Sequence, residues 1–504
     1  MHPTLGRPET GLRFKPRFTP RLLESGDVAL LSAQKTIVLS GPEYAALQPL
    51  LDGSRNADVL ADCLSGQFPP ERIYYALERL RARGVLATEP GSGTMAAPEP
   101  APHIIEEAAP LAPIKHPTPP HVHVYSATMR QTLFSRIETG VLVPPVAVAG
   151  WGRTEAEARV RCLAEAAERR AGMFMSSSIY RCSSLNELEG EALSPGDLTL
   201  FSGQQYAHRQ RLNATNEGMD WIPDRYEPEL EIDWAAAWSL TYQRRVWLPA
   251  AYCFYAHAQH SDGMFCIANS TGCAAGRTFS EAVVRGLYEL VERDACAIWW
   301  YNRLPRPEID ASSFGDQFFP ATTAALRDHG RSLKIFDLTH DLGLAVVAAV
   351  SWRTSDMMGL RLGCGAHSDF VKAATQASGE LNQQVFANDE ATAREPVPPH
   401  LMCALPQESG NTSPYRDGGR HHGESLDTCV DRLRARGREV IVLNQSEPKS
   451  EFHVARIVIP GLRQTGARFA PGRLYDVPVK LGWRAEEAHE KELWDAATLT
   501  WPEE

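Results

Sequence analysis

The sequence has no G-x-x-x-x-G-K-S/T segment and not one Gly-Lys dipeptide, so a P-loop nucleotide site is excluded. It also lacks H-E-x-x-H and G-x-S-x-G, which removes the zinc-protease helix and the nucleophile elbow of α/β-hydrolases. No two of its ten cysteines are spaced C-x-x-C, against a zinc ribbon or a thioredoxin-like redox pair. No run of about 18 uncharged apolar residues is present, so no membrane span is expected. Met1 to Glu9 hold no apolar signal segment, and thiols without a disulfide framework place the expected chain in the reducing cytoplasm. What remains is an ordinary globular composition, 43% hydrophobic and 22% charged, with 504 residues implying two or three domains. A net charge of −11 disfavours nucleic acid as the main partner.

The chain divides where proline accumulates. Pro90, Pro117, Pro119 and Pro120 fall in an Ala/Pro-rich stretch that can hold neither a helix nor a central strand. An extended linker is expected over residues 89–122, between a domain at 10–88 and a larger one at 123–504. In the first, 28–31 and 36–39 read as strands, and Ser40-Gly41-Pro42-Glu43 as a capping box opening a helix that ends at Asp52-Gly53. Asn56 caps a second helix, residues 70–83 form a third that Gly84 stops, and 85–87 return as a strand. This is a winged-helix order. Such modules bind DNA or dock peptides, and with ten basic and nine acidic residues between 10 and 89 there is no net drive toward phosphate. A peptide adding as a strand to the sheet edge is the favoured use. Arg13, Lys15, Arg17 and Arg21 read as a basic arm for an acidic leader.

Beyond the linker, helices are expected near 155–174, 279–300, 319–329, 370–387 and 425–436, with buried strands at 345–350, 440–443 and 455–459. This is α/β (α+β) composition. The chemistry lies in two helices. In the first, Glu165 and Glu168 stand three apart and share a face; Arg161, Arg169 and Arg170 offer the alternative of a solvated, charge-balanced surface. In the second, Glu281, Glu289 and Glu292 fall within about 80° at about 100° per residue. Val283, Val284, Leu287, Leu290 and Val291 cover most of the rest. Buried carboxylates need something positive facing them, either arginines such as Arg285 and Arg293 or divalent cations. Five of them suit Mg²⁺ bridging nucleotide phosphates, with Arg293 placed to steady a phosphoryl group. His121, His123, His421 and His422 read as loop histidines, and Trp299-Trp300-Tyr301 as core.

Cys162-x-x-Glu165-x-x-Glu168, Asn269 to Gly276, Glu281-x7-Glu289-x2-Glu292-Arg293, Ala374 to Gln383 and Val458 to Leu462 together resemble the YcaO family of ATP-dependent peptide-modifying enzymes over about residues 123–480. Leu39-Ser40-Gly41, Leu50 to Gly53, Ala76 to Leu80 and Gly84 to Leu86 resemble PqqD-like leader-recognition domains. The resemblance implies a YcaO-type catalytic domain binding ATP and Mg²⁺ through the five glutamates, with Arg293 on phosphate and Cys162 and Arg277 near the nucleotide. Cys162 replaces the family's usual serine, and Arg277 a common amide. The proline-rich C-terminal tail of many azoline-forming members has no counterpart here, so the general base is unassigned. The implied reaction is activation of a backbone amide in a ribosomally made precursor peptide, giving azolines from Cys, Ser or Thr. Alternatives are thioamide or amidine formation, or an ATP-binding accessory role. Implied partners are the precursor through its leader, a separate ThiF-like protein, a flavin-dependent azoline dehydrogenase and a second copy of the chain in a homodimer.

Overall fold

The computed structural model describes residues 11–23, 25–32, 36–89, 111–129, 132–134, 140–142, 146–173, 180–214, 220–255, 257, 264–387, 413–415, 425–447 and 450–497. Strands β1 (Gly11–Phe14), β2 (Thr19–Leu22), β3 (Val28–Leu31) and β4 (Thr36–Leu39) precede helices α1 (Pro42–Leu47), α2 (Ala57–Leu64) and α3 (Pro70–Ala82), and β5 (Leu86–Glu89) closes the domain by pairing with β1. β2, β3 and β4 form an antiparallel sheet in that order. The expected basic arm is therefore partly strand: Arg13 lies in β1 and Arg21 in β2, paired with Ala29, while Lys15 and Arg17 lie in the turn between them. Its prolines and charges concealed the alternation that marks a strand. Asn56 caps α2 as expected, accepting from Val59 N at 2.9 Å. The capping box at Ser40 does not form. Gly41 is the N-cap, and Glu43 turns inward to bind Arg72 at 2.7 Å.

Residues 90–110 of the expected linker lie outside the described residues, and its end is not linker. β6 (Ile114–Lys115) pairs with β7 (His123–Met129), which pairs with β8 (Val146–Gly152), and Val122 is fully buried. His123 opens a strand, His121 packs edge-on to Phe318, and His421 and His422 are outside the described residues. Thr154 and Glu157 form the anticipated capping box of α4 (Glu155–Ala171). That helix presses so closely on β8 that a side chain at Gly150 would overlap backbone at Ala158 and Cys162.

A seven-stranded sheet holds the centre. It includes β9 (Ile232–Ser239), β10 (Arg244–Pro249) and β11 (Cys273–Gly276), which leads through Thr278, the N-cap, into α5 (Phe279–Asn302). A further three-stranded sheet runs β12 (Lys334–Asp337), β13 (Ala345–Ser351), β14 (Arg361–His367), under α6 (Phe370–Ala387). At Gly363 a side chain would meet α6 backbone at Ala377 and Leu381. Helix α7 (Leu426–Arg434), strands β15 (Ile441–Asn444) and β16 (His453–Val458), and helix α8 (Arg473–Lys480) complete the elements used below. Trp299, Trp300 and Tyr301 belong to the main core. No helix among the described residues is long and apolar enough to cross a membrane.

The winged-helix domain is docked on the larger domain through α3. Tyr74 stacks on Phe279 with centroids 4.8 Å apart, and Arg72 lies 4.9 Å over the Trp238 ring. Asn444 N donates to buried Glu71 at 2.7 Å, and Arg79 faces Asp427 at 3.7 Å. In DNA-binding relatives of this architecture the corresponding helix enters the major groove. Here its contact face is occupied by protein.

Candidate functional site

Helices α4, α5 and α6 surround a cavity of about 1670 Å³, closed on one side by the end of α3 and the start of α7. Glu165 and Glu168 enter from α4, Glu281, Glu289 and Glu292 from α5, and Arg293 beside them. The two stripes thus share one pocket. A sixth carboxylate, Glu380 of α6, joins them. The signal for it was present, since it lies in the Ala374–Gln383 segment that resembles the family, but its role needed the third helix in place.

Backbone amides hold most of these acids. Glu165 accepts from Ala149 N at 2.7 Å, Glu168 from Ala275 N at 2.7 Å, and Glu281 from Arg277 N at 2.9 Å. Glu289 accepts from Gly272 N at 3.0 Å and Glu380 from Cys364 N at 3.3 Å. In four cases the donor belongs to a strand or turn against which the helix packs, so the carboxylate is oriented by the fold, while Glu281 is held by the turn that opens its own helix. Arginines supply part of the countercharge. Arg169 binds Glu165 at 2.8 Å, Arg285 binds Glu281, and Arg293 stands 3.8 Å from Glu289 and 3.9 Å from Glu292. Arg161 instead lies 4.2 Å over the Trp151 ring, and Arg170 turns away to Glu447.

Two assigned residues lie elsewhere. Cys162 is fully buried, its thiol 3.8 Å from Val148 O, because that side of α4 is pressed onto β8. Arg277 is exposed in the turn before α5 and does not line the cavity; its backbone N–H, not its guanidinium, reaches Glu281.

Burial raises the pKa of Glu168 to about 8. Arg169 and the Ala275 amide oppose the shift, and Glu165 and Glu289 add to it. Glu292 is also pushed well above the usual carboxyl range, by burial first and then by Glu380, with Arg293 opposing. Hard carboxylate oxygens in excess of what nearby guanidiniums neutralise are the donor set Mg²⁺ takes. Among the described residues no three converge into a preformed cage. This arrangement fits an ion that keeps water and phosphate oxygens and takes one or two carboxylates.

A pH prediction follows from Glu168. Its folded form holds a proton more tightly than the unfolded chain, so this contribution to stability is complete below about 4.5 and is lost as pH rises through about 8. Differential scanning calorimetry should show the ligand-free melting temperature falling over that range. Glu168→Gln should flatten the fall and melt above wild type at pH 8. Equal slopes for the two proteins would refute the assignment.

A family model described as YcaO cyclodehydratase, ATP- and Mg²⁺-binding, matches residues 149–463, and a winged helix-turn-helix model matches residues 13–88. The chain is 33% identical over 222 residues to an uncharacterised protein in the tfuA 3′ region of Rhizobium leguminosarum bv. trifolii, covering 38% of this chain and 52% of that one. An uncharacterised protein of Methanothermobacter thermautotrophicus is 27% identical over 260 residues, covering 48% and 68%. The chain therefore spans about half the length of the rhizobial relative. Among solved structures, a heterocyclase in complex with substrate and cofactor aligns over 95% of this chain and 99% of its own, with a TM-score of 0.69 at 23% identity. The heterocyclase TruD aligns over 96% and 99%, with a TM-score of 0.59 at 23% identity. YcaO from Methanopyrus kandleri, bound with AMPPCP and Mg²⁺, aligns over 72% and 91%, with a TM-score of 0.51 at 21% identity. At these identities the likeness is one of fold.

Proposed function

The chain belongs to the YcaO family, and from that premise we propose that it uses ATP to activate backbone amides of a ribosomally made precursor peptide, closing Cys, Ser or Thr side chains into azolines. The observation that carries the proposal is the set of carboxylates from separate helices facing one cavity, each of five oriented by a backbone N–H. Glu165, Glu168, Glu281, Glu289, Glu292 and Glu380 would hold Mg²⁺ and the nucleotide it accompanies, with Arg293 beside the phosphates. ATP would supply the phosphoryl group that turns a poor leaving oxygen into phosphate. The chain's own part is to orient and to neutralise.

The peptide's leader would add as a strand to an outer edge of the β2–β3–β4 sheet, either β2, where Leu22 is half exposed, or β4, where Val38 is. Because α3 both belongs to that domain and lines the cavity with Glu78 and Arg81, a docked leader holds the following residues at the site. A ThiF-like protein, an azoline dehydrogenase and a second copy of the chain are proposed partners. The test is mass spectrometry of a precursor encoded by a neighbouring reading frame, incubated with the enzyme, Mg²⁺ and ATP. Loss of one water per ring, dependent on ATP, is expected. Exchange of oxygen for sulfur would establish thioamide formation instead, and ATP turnover without a mass change would establish an accessory role.

A further inference from the structure

His367 faces the cavity from the C-terminal end of β14. Its ring lies against Tyr288 of α5, centroids 5.1 Å apart, and Tyr288 is held by hydrogen bonds to Ser368 and Cys429. On α5, Tyr288 falls within about 60° of the stripe carrying Glu281 and Glu292, about 6 Å along the axis from Glu292 and about 10 Å from Glu281. Through its packing on Tyr288, the imidazole therefore stands beside the carboxylate row. Nothing so far gives it a role.

The protonation of the ring is set by its neighbours. Nδ1 lies 2.9 Å from the backbone N–H of Asp369, which can only donate, so Nδ1 is bare. That N–H is fixed because the Asp369 carboxylate caps α6, accepting from Val371 N at 2.9 Å and Lys372 N at 3.2 Å. Burial and Lys372 hold the ring below its usual pKa, Asp369 opposing, so at neutral pH it is an uncharged imidazole carrying its proton on Nε2. A ring arranged this way is a poor base toward the cavity, since its free lone pair is already engaged. It is a good neutral donor, the use made of histidine where a carbonyl must be polarised without a charge.

We infer that His367 is a catalytic hydrogen-bond donor, its Nε2–H directed to the oxygen of the peptide amide under attack. The inference rests on the peptide-modifying reading above and adds a residue to it. As the Cys sulfur or the Ser or Thr oxygen bonds to the carbonyl carbon, the carbonyl π electrons move onto the oxygen, and the nucleophile's proton leaves to water. His367 keeps its proton and stabilises the negative oxygen. The cavity, larger than the roughly 300–1,000 Å³ of small-molecule sites, has room for peptide beside nucleotide.

The test compares His367→Leu, without a donor, His367→Gln, whose amide nitrogen overlays Nε2, and His367→Asn, whose amide overlays Nδ1. Ring formation on the neighbouring-frame precursor is followed by mass spectrometry, Mg–ATP binding by titration calorimetry, and folding by melting temperature. Loss of one such donor elsewhere lowers kcat about 10²–10³-fold. That loss is expected for Leu and Asn, with Mg–ATP affinity unchanged and Gln recovering most of the rate. Wild-type rates for Leu and Asn would overturn the role, as would weakened Mg–ATP binding with kcat retained, which marks a nucleotide contact. If Leu does not fold, the Gln–Asn contrast decides. A wild-type enzyme that leaves the precursor unchanged overturns the peptide reading, and this role with it.

Discussion

Glu292→Gln is expected to lower ATP-dependent turnover by about 10³-fold or more, equivalent to ~4 kcal/mol of transition-state stabilisation, while raising the melting temperature of the ligand-free protein. Glu292 is 6% exposed, with Arg293 no closer than 3.9 Å and Glu380 adding like charge. An ionised carboxylate in that position destabilises the empty fold and is relieved when a cation arrives. Removing its charge should therefore help the fold and harm the chemistry. Phosphate release and calorimetry on the same preparation read the two effects. Turnover within tenfold of wild type would mean that Glu292 is a structural acid, and the proposed metal-nucleotide site would have to be redrawn.

Two residues along the same helix, Asp294→Ala should have the converse signature, a cost of about 3–5 kcal/mol in stability. For a domain of this size that is a fall of roughly 10 °C in melting temperature. Asp294 is fully buried on the other side of α5 from the cavity. It accepts from His340 Nε2 at 2.9 Å, from Arg473 Nη2 at 2.7 Å and from the Arg463 backbone N–H at 2.8 Å. Arg473 also binds Asp341 at 2.6 Å, so one carboxylate ties α5 to α8 and to the turn after β12. Truncation strands a buried imidazole and leaves the buried Arg473 guanidinium with Asp341 alone. Mg–ATP affinity measured well below the melting temperature should be unchanged. A variant that melts with wild type would show that water replaces the carboxylate at no net cost.

These two acids illustrate how far the residue order reaches. Helical periodicity puts Glu281, Glu289 and Glu292 on one stripe and Asp294 off it, because side-chain direction follows from about 100° per residue alone. The same local rules place the Thr154–Glu157 capping box, the Asn56 cap and the end of α3 at Gly84. Local rules misread β1 and β2, where proline and charge break the alternation, and the box at Ser40, where Glu43 is drawn away by Arg72, 29 residues later.

The sequence by itself therefore determined the helices, their acidic stripes, the winged-helix order and the family motifs, all of which depend on residues within a few turns of one another. Tertiary structure alone decided that the stripes share a cavity, that Glu380 joins them, that Cys162 faces the core and Arg277 the solvent, and that α3 docks as a wall of the site. The reason is physical. Which way a helix face points is local, but what it points at depends on packing between segments up to hundreds of residues apart, and no periodicity carries that information.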